Sequence, residues 1–177
     1  MKSSSRVIYY SELETPIGYL TIAATTKGVC WIDFGNSKDT FPSLQRWTKR
    51  WLNTEQFLPA QNELDEVKQQ LTEYFDKKRR TFNVQVDLYG TSFQKLVWQS
   101  LFTIPYGQVR SYKDIAIQIN APKAVRAVGG ANHQNPVPII VPCHRVIGTN
   151  GNLVGYGGGI EIKKFLLNLE GYPVEES

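Results

Sequence analysis

The chain has 177 residues, of which 41% are hydrophobic and 20% charged, with a formal net charge of +4. A chain of this size and composition buries its own core in one or two globular domains, and no apolar run nears the eighteen or so residues of a membrane span. Two cysteines, Cys30 and Cys143, without Cys-x-x-Cys or Cys/His ligand spacing, speak against a disulfide framework and predict no structural metal. Met1-Lys2-Ser3-Ser4-Ser5-Arg6 lacks the apolar stretch of a secretory leader, so the expected compartment is the cytoplasm, with no membrane partner.

In chain order, residues 6–10, 19–24 and 29–34 alternate as strands, separated by turn signals at Thr15-Pro16-Ile17-Gly18 and Lys27-Gly28, which predicts an antiparallel meander with Cys30 in its core. Residues 44–51 and 63–75 follow as helices. In the second, Leu64, Val67, Leu71, Tyr74 and Phe75 share one face. Lys77-Lys78-Arg79-Arg80 is a solvated helix end favoured by the macrodipole, and residues 82–88 alternate as a further strand. A small α/β domain over residues 1–88 results, and nothing in it calls for chemistry.

At Tyr89-Gly90 the period changes and residues 89–177 read as mostly helical. Thr91-Ser92-Phe93-Gln94 has capping-box spacing, and Phe93, Leu96, Val97 and Leu101 form an apolar stripe that Ile104-Pro105 ends. Ser111 caps a second helix. After Asn120-Ala121-Pro122, Lys123-Ala124-Val125-Arg126-Ala127-Val128 runs to a Gly129-Gly130 stop, and the two short helices suit a helix-turn-helix. A last helix over 161–169 buries Ile162, Phe165, Leu166 and Leu169 before Gly171. Between Lys95 and Lys164 stand eight basic residues against two acidic ones, the balance expected of a surface that meets a polyanion.

The stretch Pro136-Val137-Pro138-Ile139-Ile140-Val141-Pro142-Cys143-His144-Arg145-Val146 has three prolines in seven residues, which predicts a stiff extended run. Its Cys143 is either a buried small hydrophobe or a nucleophile. Neighbouring imidazole and guanidinium groups predict a lowered thiol pKa in the second case. Gly155-Tyr156-Gly157-Gly158-Gly159 is no dinucleotide loop, because Ile160 stands where the third glycine is needed, and no other cofactor motif is present.

Taken together, Arg126-Ala127-Val128-Gly129-Gly130-Ala131, Asn135-Pro136-Val137-Pro138-Ile139, Pro142-Cys143-His144-Arg145-Val146-Ile147, the glycine-rich loop and Leu166-Leu167-Asn168-Leu169-Glu170-Gly171 resemble the O6-alkylguanine-DNA alkyltransferases. The resemblance is close over 91–171 and weak before it. It implies a small RNase H-like sheet with helices followed by a helical DNA-binding domain, and direct, irreversible transfer of an alkyl group from O6-alkylguanine in double-stranded DNA to Cys143, once per molecule. No cofactor is implied. Some relatives carry zinc in the first domain, and its ligands are missing here.

The resemblance also assigns roles. A water links His144 to Cys143, and Glu170 holds the far imidazole nitrogen. Asn135 orders the active-site turn. Tyr112 helps rotate the nucleotide out and hydrogen-bonds the guanine ring, Arg126 enters the vacated space, and Lys123, Ala124 and Ala127 belong to the helix that lies in the minor groove, where Ala131 also lets the backbone approach. The carbonyls of Cys143 and Val146 take the exocyclic amine. Tyr156, Gly157 and Gly158 form the lid, with the Gly157 amide facing O6, although many relatives have Ser there. His133 has no assigned role beyond a phosphate contact, and Arg145 braces the two domains or a helix end. The expected protein is a monomer that clusters on DNA. Three rivals remain at this point: a non-reacting sensor of alkylation damage, which usually lacks the cysteine; a transcriptional regulator using the helix-turn-helix alone; and a Cys-His hydrolase.

Overall fold

The computed structural model describes residues 6–54 and 56–174. Two compact units divide the chain, Met1–Tyr89 and Gly90–Ser177. In the first, β1 (Val7–Thr15), β2 (Gly18–Thr25) and β3 (Gly28–Phe34) form the expected antiparallel meander. Residues 20–24 of β2 are all buried, the pattern of a central strand covered on both faces. A fourth strand, β4 (Gln56–Pro59), lies parallel along β1 and completes the sheet order β3-β2-β1-β4. Its four residues do not alternate, so no period announced it.

Helix α1 (Ser37–Leu52) begins seven residues before the expected 44 and runs through Pro42. The reason is packing: Thr40, Leu44, Thr48 and Leu52 recur every four residues on the buried face, and Asn36 caps the start by accepting from the Asp39 amide at 2.9 Å. Ile8, Ala23, Cys30, Trp31, Leu44 and Leu52 make the core beneath it. Helix α2 (Asp65–Phe75) packs on β1 with Val67, Gln70, Leu71, Tyr74 and Phe75 buried. Residues 82–88 are not the regular strand their alternation suggests. They touch β3 at a single bridge, Val86 to Val29. Gly28 permits that approach, for a Cβ there would stand 2.6 Å from the Gln85 carbonyl oxygen. Asp87 then turns aside to accept hydrogen bonds from Thr25 Oγ1 (2.5 Å) and the Tyr89 hydroxyl (2.7 Å), which ends the pairing.

In the second unit, α3 (Ser92–Leu101) starts on the Thr91/Gln94 capping box. Its buried side is Val97, Trp98, Ser100 and Leu101, whereas Leu96 of the expected stripe is 50% exposed. After a two-residue strand β5 (Arg110–Ser111), Ser111 and Asp114 form a second capping box on α4 (Tyr112–Gln118). Helix α5 (Val125–His133) starts two residues later than expected and continues through Gly129-Gly130 to His133. Two glycines cost about 1 kcal/mol each relative to Ala. Burial of Val128, Ala131 and Asn132, and a 2.8 Å hydrogen bond from Trp98 Nε1 to the Ala131 carbonyl, hold the helix past them. Helices α3, α4 and α5 pack on one another. Strand β6 (Val146–Ile147) pairs parallel with β5, and α6 (Ile160–Leu169) closes the unit. On α6 the buried residues are Lys163, Leu166 and Leu167, and Phe165 faces outward, contrary to the periodicity reading.

Candidate active site

Residues 136–147 are buried throughout, but they do not form the straight run their prolines predict. Ile139 has φ +75°, outside the range a β-branched residue prefers, and Pro138 and Val141 bridge across it. Asn135 spans this turn. Its Oδ1 accepts from the Val137 amide at 3.0 Å and its Nδ2 donates to the Val141 carbonyl at 2.9 Å. The chain then winds into a 3-10 turn, Cys143–Arg145, with the Cys143 amide donating to Val141 and the Arg145 amide to Pro142. Proline suits this path because few amide donors are needed.

The turn changes the electrostatics expected of Cys143. Burial pushes its thiol up to about 11, and a hydrogen bond from Asn135 and the charge of Lys163 only partly oppose that rise. The expected lowering by adjacent His144 and Arg145 is therefore corrected: both side chains are directed to Glu170 instead. His144 Nε2 stands 2.7 Å from Glu170 Oε2, and Arg145 donates from Nε to Oε1 at 2.8 Å and from its terminal nitrogen to Oε2 at 3.1 Å. The Gly107 amide adds a donor to Oε1 at 3.2 Å. Burial works to raise the Glu170 carboxyl, but the bonds and charges of His144 and Arg145 win and hold it well below the carboxylate range. Burial, the larger effect on His144, lowers its pKa despite Glu170, so the imidazole rests neutral. With Nε2–H given to the carboxylate, Nδ1 carries the lone pair and has no partner among the described residues. Arg145 also donates to the Ile104 carbonyl at 2.7 Å, and so braces the ends of α6 and α3.

On the other side of Cys143, the Tyr112 hydroxyl donates to the Val154 carbonyl at 2.9 Å. Lys163 was expected only as part of a basic surface. It is fully buried, its Nζ donating to the carbonyls of Val146 at 2.5 Å and Val154 at 3.3 Å and standing 5.9 Å from the Tyr112 ring centre. Burial brings its pKa down to about 8, while the Cys143 thiolate pulls the other way. The only sequence signal was its spacing: Lys163 precedes buried Leu166 and Leu167 by three and four residues, on their side of the helix.

Above these groups runs the glycine-rich loop. Tyr156 is buried, and burial raises its phenol well above the ordinary value. A Cβ on Gly157 would lie 3.8 Å from the His133 carbonyl, which puts the loop tip at the end of α5, and Gly158 is half-buried beside it. Lys123, Arg126, Ala127, Gly130 and His133 are exposed along one side of α5 and the turn before it, and Ala124 is half-buried. Ala131, expected on that surface, is 4% exposed and faces α3.

Comparison with known proteins is consistent from end to end. Residues 8–88 match the ribonuclease-like domain of 6-O-methylguanine DNA methyltransferase, and residues 92–172 match its DNA binding domain. The chain belongs to the 6-O-methylguanine DNA methyltransferase family. Within it, the chain is 47% identical over 171 residues to the constitutive methylated-DNA–protein-cysteine methyltransferase of Bacillus subtilis, covering 95% of this chain and 98% of the relative. The enzyme of the same name from Methanosarcina acetivorans is 45% identical, with 93% and 99% covered. Among solved structures, Mycobacterium tuberculosis O6-methylguanine methyltransferase superposes with a TM-score of 0.78 at 44% identity over 92% of both chains, and a DNA complex from that organism does so with 0.78 at 42%. The other cysteine, Cys30, is fully buried. Burial, with Asp87 adding to it, pushes the Cys30 thiol up to about 12.

Proposed function

We propose that this chain repairs DNA by moving the alkyl group of an O6-alkylguanine directly and irreversibly onto Cys143 Sγ. The observation that carries this reading is a buried thiol with a neutral, carboxylate-held imidazole on one side and a buried phenol and ammonium on the other. The Sγ proton passes to His144 Nδ1, by way of a water where the two do not meet, and Glu170 stabilises the imidazolium that forms. Lys163 favours the thiolate by its charge. Sulfur attacks the O6-bound carbon in line, the C–O bond breaks, and the guanine anion takes a proton from the Tyr112 side.

A carbon–sulfur thioether results, which water does not clear, so the protein acts once and needs no cofactor. The exposed strip of Lys123, Arg126, Ala127 and Gly130, with Ala124 behind it, enters the minor groove, where readout is nearly blind to sequence. Small residues admit the backbone and Arg126 fills the space the flipped base leaves. Tyr156, Gly157 and Gly158 cover the base in the pocket, and the Cys143 and Val146 carbonyls face its exocyclic amine. A monomer suffices, since every group named belongs to one chain, and copies cluster along DNA.

Intact mass and peptide mapping after mixing with excess methylated duplex test this reading. One methyl per chain, on Cys143 alone, is expected, and Cys143→Ser binds DNA without accepting any. Product beyond one equivalent, or label on Cys30, sinks it in favour of a turnover hydrolase.

A further inference from the structure

Helix α1 buries Thr40, Leu44, Thr48 and Leu52 and turns its opposite side outward, where Lys38, Arg46, Lys49 and Arg50 are all exposed. At 3.6 residues per turn the four cations fall within about a third of the helix circumference, and at 1.5 Å per residue they span about 18 Å of its length. Asp39 is the one carboxylate of the helix, and none of the four cations makes an ion pair among the described residues. Two of them are nonetheless held in place. Arg46 donates from a terminal nitrogen to Ser43 Oγ at 3.0 Å, and the Arg50 guanidinium lies over the Trp51 ring, 4.9 Å from its centre.

A solvated helix end accounts for part of this pattern. Lys49 and Arg50 stand in the last turn, where cations complement the macrodipole. It does not account for Lys38, which sits in the first turn against the dipole, nor for Arg46, which has Arg50 four residues on and is repelled by it. Like charges kept together without a counter-charge on the protein fit an external anion. The other basic run of this domain differs: Lys77-Lys78-Arg79-Arg80 follows α2, which carries Asp65, Glu66 and Glu73, and Arg79 is paired with Glu73 at 3.4 Å. An anion that meets four cations over the length of α1 must be extended and evenly charged. Each strand of duplex DNA advances about 3.4 Å per phosphate along the axis, so the face covers about five phosphates. The second unit of the same chain already matches a DNA binding domain.

We propose that α1 is a second DNA-binding face, in which Lys38, Arg46, Lys49 and Arg50 contact backbone phosphates of duplex DNA. The proposal rests on the reading of the chain as a DNA-binding protein and not on the chemistry at Cys143. Phosphate contacts carry no base information, so the face adds affinity for any duplex and leaves the choice of lesion to the second unit. The two held guanidiniums lose less freedom on binding than loose side chains do.

The test is a binding titration of the full chain on a long undamaged duplex kept in molar excess, so that each duplex carries at most one copy, repeated across a salt series. Lys38→Gln/Arg46→Gln and Lys49→Gln/Arg50→Gln are each expected to flatten the slope of log affinity against log salt by about two units, and to weaken binding about tenfold or more at low salt. Both are expected to react with free O6-benzylguanine within about twofold of wild type, since that substrate needs no duplex. Lys38→Gln removes a charge that opposes the helix dipole, so the first variant keeps its melting temperature and its weaker binding reports lost contacts rather than lost fold. Lys77→Gln/Lys78→Gln is the control for net charge and is expected to leave the slope unchanged. An unchanged slope in the α1 variants, or an equal fall in the control, overturns the proposal. So does a loss seen only with protein in excess, which puts a second copy of the chain rather than DNA against α1. Wild type that binds no DNA is a separate outcome, which removes the DNA-repair reading and this one with it.

Discussion

Glu170 shows how much one side chain decides. Its two oxygens collect His144, Arg145 and the Gly107 amide, and the side chain is itself fully buried. Its folded pKa is depressed, so the stability it contributes is present above its unfolded value of about 4.3 and is lost as pH falls below that. Replacing it leaves Arg145 buried without its counter-charge, a loss of about 3–5 kcal/mol in comparable cases. Glu170→Gln is expected to melt lower at pH 7, and its melting temperature is expected to depend less on pH between 6 and 3 than that of wild type. Transfer slows about a hundredfold, because the imidazolium loses its partner. Melting curves across that range check the first part and single-turnover rates the second. Equal pH slopes for the two proteins would mean that the carboxylate is not the acid-sensitive group.

At the level of elements, the turn between α3 and β5 does more than connect them. Gly107 has φ +77°, and a Cβ there would stand 2.9 Å from the Glu170 carbonyl oxygen. The turn presses on the end of α6 where Glu170, the partner of His144, sits, and Tyr106 reinforces the contact by donating to the Leu169 carbonyl at 3.3 Å. Only glycine meets both the backbone sign and the space. Gly107→Ala is expected to lose about 1–3 kcal/mol of stability and to slow transfer, because Glu170 must shift, while affinity for undamaged DNA holds, because α5 is untouched. Chemical denaturation, transfer rates and a gel-shift titration measure the three. Weakened DNA binding with normal transfer would reverse the assignment.

For the whole molecule, the division of labour predicts separable defects. In the proposed mechanism the α5 strip handles DNA and the Cys143 turn handles chemistry. Arg126→Ala should slow repair of duplex DNA far more than reaction with free O6-benzylguanine, because only the duplex requires a base to leave its stack. Its affinity for DNA should fall with salt less steeply than that of wild type, by about one unit of slope for the lost cation. Rate measurements on both substrates and binding across a salt series check this. Equal slowing on both would make Arg126 a support of the pocket, and a strong preference for one DNA sequence would favour a regulator.

The local features were legible in the chain itself. The Thr91 capping box, the Ser111 cap, the three-strand meander and the buried Cys30 depend on residues close in sequence, and local physics is enough to specify them, whereas the pairing of His144 with Glu170 was implied by the family resemblance alone. What sequence misjudged depended on distant partners. Helix α5 outlasts Gly129-Gly130 because Trp98, more than thirty residues away, holds it. The thiol of Cys143 is raised rather than lowered because the fold buries it and turns its charged neighbours toward Glu170. Lys163 reads as a surface cation and is an interior one. Residue type and spacing dictate which groups the chain can bring to a site. Which of them lose water, and which charge each then faces, is set by long-range packing, and desolvation is the larger effect on Cys143, His144 and Lys163 alike.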